Sequence, residues 1–134
     1  MHKYERDILD FALSGEHPDL DALRRQLGGA TVVGRLNLGN ALRIELESKV
    51  THDFGSSHAE ITDCFVEFSS LQNEVAITLI LINGRLSALV LVANGGEKIP
   101  TNPSIHRLYY TDYDQSGELI ECHHRNLQHA ILKT

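Results

Sequence analysis

Val75-Ala76-Ile77-Thr78-Leu79-Ile80-Leu81-Ile82-Asn83-Gly84-Arg85-Leu86-Ser87-Ala88-Leu89-Val90-Leu91-Val92 is the longest apolar stretch of the chain and decides its fold. Asn-Gly between two β-branched and aliphatic runs signals a hairpin, because a type I′ turn needs φ > 0 at both central residues. With Asn83 and Gly84 as the turn, Ile82 faces Arg85 and Leu81 faces Leu86. Strict alternation then sets Leu79 against Ala88, Ile77 against Val90 and Val75 against Val92, all on one face. Ala76, Thr78, Ile80 and Ile82 share the other face with Arg85, Ser87, Leu89 and Leu91. One face is wholly apolar and the other about half so, as expected of the central hairpin of a sheet.

Working towards the N-terminus, Ala41 to Glu47 alternates, with Leu42, Ile44 and Leu46 on one side and Arg43, Glu45 and Glu47 on the other. Ala30 to Leu38 precedes it as a strand. A two-residue Gly39-Asn40 turn would oppose Leu36 to Arg43, so a three-residue loop that opposes Leu36 to Leu42 or Ile44 is expected. Before these strands lie two amphipathic helices. Tyr4, Ile8, Phe11 and Ala12, with Leu9 and Leu13, form the first stripe. Leu20, Leu23 and Leu27 form the second, which starts near Pro18 and ends at Gly28-Gly29.

Towards the C-terminus the signals weaken. Lys49 to His58 is a polar loop, and Glu60 to Phe68 alternates, with Ile61, Asp63, Phe65 and Glu67 on one side and Cys64, Val66 and Phe68 on the other. After the hairpin, Ile105 to Thr111 reads as a strand and Glu118 to Cys122 as its return across a Tyr113–Gly117 turn. Leu127, Ala130 and Ile131 fit a short terminal helix. The expected architecture is α+β, one domain over residues 1–134. It has two N-terminal helices on a mainly antiparallel sheet of about six strands, with a short C-terminal helix.

The chain has 134 residues, a net charge of −6, and 42% hydrophobic and 22% charged residues, ordinary for a globular protein. No apolar run approaches the ~20 residues of a membrane helix. The charged N-terminus lacks a signal-peptide core. Two cysteines make no disulfide framework, so a cytoplasmic protein with free thiols is expected. Between residues 41 and 84 seven acids stand against Arg43 and Lys49, a local −5. Such a surface repels phosphate backbones and attracts basic partners, so nucleic acid is not an expected ligand.

No catalytic residues emerge. Gly28-Gly29, Gly39 and Gly95-Gly96 match neither dinucleotide- nor phosphate-binding loops, and there is no Gly-x-Ser-x-Gly elbow. Cys122, His123, His124 and His129 are the densest group of soft ligands, but their spacing matches no zinc pattern, and neither metal nor cofactor is expected. Asp63 and Glu67 are about 13 Å apart by the strand rise, too far for two carboxylates acting on one glycosidic bond. Phe65 between them is either covered by the C-terminal segment or an aromatic anchor within an acidic rim, the make-up of a binding hot spot for a basic partner. Glu45, Glu47, Glu60, Asp63, Phe65 and Glu67 are therefore the expected partner-binding residues.

Glu5-Arg6-Asp7-Ile8-Leu9, Leu20-Asp21-Ala22-Leu23-Arg24-Arg25-Gln26-Leu27 and Ala30-Thr31-Val32-Val33-Gly34-Arg35 resemble the start of a group of small bacterial proteins of unknown activity. Ile61-Thr62-Asp63 with Val66-Glu67, and Asn83-Gly84-Arg85-Leu86, match the same group's strand and hairpin. The resemblance covers about residues 4–92, and the tail from Asn94 departs from it. Some members are similar to immunity proteins that accompany contact-dependent or secreted bacterial toxins. The resemblance implies a non-enzymatic role in binding and blocking a cognate protein toxin, in some cases a basic nuclease. The alternatives are a small-molecule binder or enzyme with His106 or Tyr109 in a pocket between helices and sheet, and a homodimer built on the half-apolar sheet face.

Overall fold

The computed structural model describes residues 1–133 and has the expected α+β class. Helices α1 (Lys3–Ala12) and α2 (Pro18–Gly29) precede strands β1 (Thr31–Asn37), β2 (Ala41–Glu47), β3 (His58–Phe68), β4 (Val75–Ile82), β5 (Arg85–Ala93), β6 (Ile105–Tyr113) and β7 (Leu119–Cys122). A one-turn helix α3 (Leu127–Ala130) and a strand β8 (Ile131–Lys133) close the chain. The strands form one antiparallel sheet in the order β1-β2-β5-β4-β3-β6-β7. β8 also pairs with β3, alongside Ala59–Ile61, before β6 takes up Cys64–Phe68. The β4–β5 hairpin is central, and β1 and β7 end this order.

Both long helices cover one face. Ile8, Leu9, Leu20, Leu23 and Leu27 are buried there against Ile44, Ile61, Leu79, Leu89 and Leu91. Phe11 stacks on Tyr110 of β6 at 4.1 Å between centroids, and the Tyr110 hydroxyl donates to the Phe11 carbonyl at 2.9 Å. The opposite face carries no helix among the described residues.

Among the described residues the β1–β2, β3–β4, β3–β6 and β4–β5 pairings depart from strict alternation. Leu81 opposes Leu86 as expected, but the register then shifts, so that Leu79 meets Leu89, Ile77 meets Leu91 and Val75 meets Ala93. A bulge at Ser87–Ala88 moves Leu89 and Leu91 into the core and leaves Val90 and Val92 outside. The exchange gains two buried methylenes, about 0.8 kcal/mol each, against about 1 kcal/mol for a lost ladder hydrogen bond. Burial favours the bulge by a narrow margin. Between β1 and β2 the expected three-residue loop is replaced by a two-residue Gly39-Asn40 turn, closed by Leu38 N–H to the Ala41 carbonyl at 2.8 Å. The Asn37 side chain accepts from Gly39 N–H, which fixes this turn. Leu36 therefore does oppose Arg43, and Leu36 and Leu38 stay exposed on an edge strand. A bulge at Val33 restores Val32 to Leu46.

Glu5 on α1 has no exposure at all, and Arg35 of β1 grips it through Nε and Nη2, both at 2.8 Å. Its Oε1 also accepts the His2 backbone N–H at 2.7 Å, capping the helix start. Burial pushes the Glu5 pKa up, yet the Arg35 hydrogen bonds, the His2 N–H and the Arg35 charge outweigh it and hold the carboxyl below its usual range. A folded-state pKa below the unfolded one gives stability that is present above about pH 4.3, the ordinary Glu value, and lost as pH falls through the folded value. The thermal midpoint of Glu5→Gln is expected to fall less than that of the parent between pH 5 and pH 3. Parallel pH profiles would contradict this role.

Candidate functional site

The uncovered sheet face gathers most of the expected partner-binding residues. Register fixes which of them align. Glu45 on β2 pairs with Ala88 on β5, Ala88 with Ile80 on β4, Ile80 with Glu60 on β3, and Glu60 with Leu132 on β8. Two carboxylates thus flank an apolar floor, three strand spacings or about 14 Å apart. A second row runs Val92–Ala76–Phe65–Tyr109 across β5, β4, β3 and β6. Phe65 and Tyr109 stack with their planes 15° apart and their centroids 5.8 Å apart.

Charges rim these rows. Glu67 lies beyond Phe65 on β3 and receives Arg107 Nε at 3.2 Å and Nη2 at 3.1 Å. Arg107 also pairs with Glu121 of β7, and its guanidinium lies 4.4 Å from the Tyr109 ring centroid. The Arg107 hydrogen bonds hold the Glu67 carboxyl below its usual range, and burial raises the Tyr109 hydroxyl. Glu45 pairs with Arg43, and Glu60 lies 3.4 Å from His58 Nε2. Glu47 is exposed at the end of β2. Glu45, Glu47, Glu60, Phe65 and Glu67 therefore share one face, with Glu45 and Glu47 at the opposite side of the hairpin from the others.

Asp63 does not belong with them. Ile61 pairs with Leu79 and Cys64 with Ile77, so β3 carries an extra residue between them, and this bulge takes Ile61 into the core. It also turns Asp63 away from the surface to meet Arg125 in a two-point ion pair, Nε to Oδ2 and Nη2 to Oδ1, each 2.8 Å. The two side chains are only 5% and 7% exposed. Arg125 Nη1 donates to the Ser14 carbonyl at 2.7 Å, and its guanidinium lies 4.8 Å from the Tyr110 ring centroid. Asp63 fastens sheet, helix link and C-terminal tail together. Next to it, burial and the Asp63 charge push the Cys64 thiol well above its usual pKa, which disfavours the reactive thiolate.

The remaining candidates lie apart. Cys122 ends β7, His123 and His124 follow in a turn, and His129 Nδ1 lies 3.2 Å from Asp112 Oδ1. Among the described residues no three His, Cys, Asp or Glu side chains come together as a metal site. His106 is exposed, and Tyr109 lies on the uncovered face, so neither lines a pocket between helices and sheet.

Sequence reasoning missed Glu121 and Arg107, which lie 14 residues apart and meet only because β6 and β7 pair. It also missed Gln26, whose buried amide accepts from Leu86 N–H at 3.1 Å and donates to the Gly84 carbonyl at 2.7 Å. No helix of the described residues is long and apolar enough to cross a membrane. Comparison with protein-family models, curated proteins and solved structures gives no match.

Proposed function

We propose that this chain is an immunity protein of the cytoplasm that binds a cognate bacterial protein toxin with a basic surface and blocks it. The observation that carries the reading is the uncovered sheet face, where the Phe65–Tyr109 stack and the Ile80 floor lie among Glu45, Glu60, Glu67 and Glu121. An apolar and aromatic centre inside a charged rim is how binding hot spots are built, and a carboxylate rim selects and steers a cationic partner. The resemblance of about residues 4–92 to a group of small bacterial proteins, some of them similar to immunity proteins, points the same way. Face-to-face pairing of two copies is the weaker reading, because it would bring carboxylate rims together at a cost in like-charge repulsion.

The experiment is a binding series against the protein encoded beside this one. Glu45→Lys, Glu60→Lys and Glu67→Lys are each expected to weaken binding by about 1–3 kcal/mol and to slow association most at low salt. Each substituted side chain is on the surface, so the thermal midpoint should shift little. Affinities unchanged at every position would remove this face from the proposal.

A further inference from the structure

The outer face has a second feature, at the place where the sheet divides. β3 pairs with β8 through residue 61 and with β6 from residue 64, and the bulge between them opens a cleft of 290 Å³. Its walls include Thr62, Thr111, Tyr113, Leu119 and Leu132. Tyr113, Leu119 and Leu132 are 68%, 49% and 48% exposed, high for large apolar side chains brought together around one opening. A 280 Å³ hollow beside Phe65, Tyr109, Ile120 and Glu121 shares Thr111 and Leu119 with the cleft, so the two form one groove along the β6–β7 hairpin.

The surroundings are acidic. Glu67, Glu74, Asp112 and Glu121 lie along the groove, and Arg107 is taken up by Glu67 and Glu121. Four carboxylates against one guanidinium leave −3 around an apolar opening. Asp112 stays ionised: the Asn126 hydrogen bond, the Tyr113 N–H and His129 hold its pKa below the usual range. The cleft falls just short of the roughly 300–1,000 Å³ of small-molecule sites. It suits one large side chain.

We infer that this groove is the anchor site for the partner: it takes a segment of a basic protein in which one aromatic or large aliphatic side chain enters the cleft and flanking Lys or Arg residues meet Glu121 and Asp112. The inference rests on the proposed function for the partner being a basic protein, and adds where and by what chemistry it is held. A charge-only contact would need no apolar opening, and an apolar-only contact would gain nothing from the carboxylates.

End-blocked Lys-Lys-Phe-Lys-Lys, Lys-Lys-Ala-Lys-Lys and Glu-Glu-Phe-Glu-Glu peptides test it by amide chemical-shift titration of the whole protein. The Phe-centred basic peptide should shift Thr62, Thr111, Asp112, Tyr113, Leu119, Glu121 and Leu132, and bind about tenfold tighter than the Ala-centred one. Leu119→Ser with Leu132→Ser should abolish that difference while the spectrum otherwise stays that of the folded parent. Equal affinity of the Phe and Ala peptides, shifts centred elsewhere, or no shift with any peptide would overturn the cleft. Equal binding of the acidic peptide would overturn the charge complementarity and the basic-partner reading with it. Concentration-dependent shifts of these residues without peptide would assign the cleft to a second copy and overturn the inference. If the cleft alone fails, the effects of Glu45→Lys and Glu60→Lys on toxin binding remain, so the two proposals fail separately.

Discussion

Asp63→Ala is expected to lower the unfolding free energy by about 3–5 kcal/mol, because it leaves Arg125 buried without its counter-charge. The guanidinium would keep the Ser14 carbonyl, the Cys64 Sγ and the Tyr110 ring, and none of these replaces a two-point carboxylate. Arg125→Met should cost a similar amount by stranding Asp63. Changing both, Asp63→Leu with Arg125→Met, should recover much of the loss, since replacing a buried pair by apolar groups is often neutral. Urea unfolding of the three variants at pH 7 measures this. Single variants within about 0.5 kcal/mol of the parent would show that the pair is open to water. The loss should also loosen the tail, because Arg125 lies just before α3 and β8, and β8 is what pairs the Ala59–Ile61 edge of β3.

Gly84→Ala should be nearly as damaging. Gly84 has φ +75°, and a Cβ there would lie 2.0 Å from the His52 carbonyl oxygen, a backbone atom with no way to rotate aside. Left-handed backbone costs a non-glycine residue about 1–2 kcal/mol. Relieving the clash must also move the 48–57 loop, which is held by His52 N–H to the Gly84 carbonyl at 2.9 Å and by Asn83 N–H to the Ser57 carbonyl at 2.9 Å. The total should be about 3 kcal/mol or more, adding about 1 kcal/mol per lost hydrogen bond. Asn83→Gly at φ 49° is the control and should change stability little, since Asn visits this region readily. A Gly84→Ala thermal midpoint equal to that of the control would mean that the loop does not pack on the turn.

The hairpin was legible because Asn83-Gly84 and two apolar runs state a turn and two strands in local terms. Helices α1 and α2 were legible for the same reason, through their apolar stripes and, in α2, a Pro at the start and a Gly pair at the end. The bulges were not legible, because alternation carries no count of extra residues. Apolar residues three apart inside a strand were the available signal: Leu86 with Leu89 and Ile61 with Cys64 cannot share a face without one added residue. Missing the second of these put Asp63 on the surface. β8 was hidden for a different reason. Three residues have too little periodicity to announce a strand, and only the open edge of β3 makes them one.

The candidate site divides the same way. Glu60 shares its face with Phe65 only because of the β3 bulge, whereas Glu45 with Glu47, and Phe65 with Glu67, followed from alternation within single strands. The β6–β7 contribution did not, because Arg107, Tyr109 and Glu121 join Phe65 and Glu67 only through pairings between distant strands. Burial separates the charged residues into two groups. Asp63 and Glu5 hold the fold together from inside, whereas Glu45, Glu60, Glu67 and Glu121 remain at the surface, where charge reaches a partner.

Methyl cross-saturation in the complex with the protein encoded beside this one reports which face the partner covers. Docking on the outer face predicts that saturating the partner attenuates the methyl signals of Ile80, Ile82, Val90 and Val92 there, together with Leu119 and Leu132 at the groove. Leu23 and Leu79 in the core should keep their intensity, as should Val50. Attenuation of Val33 and Leu38 at the β1 edge or of the helix side, with Ile80 and Val90 untouched, would contradict it.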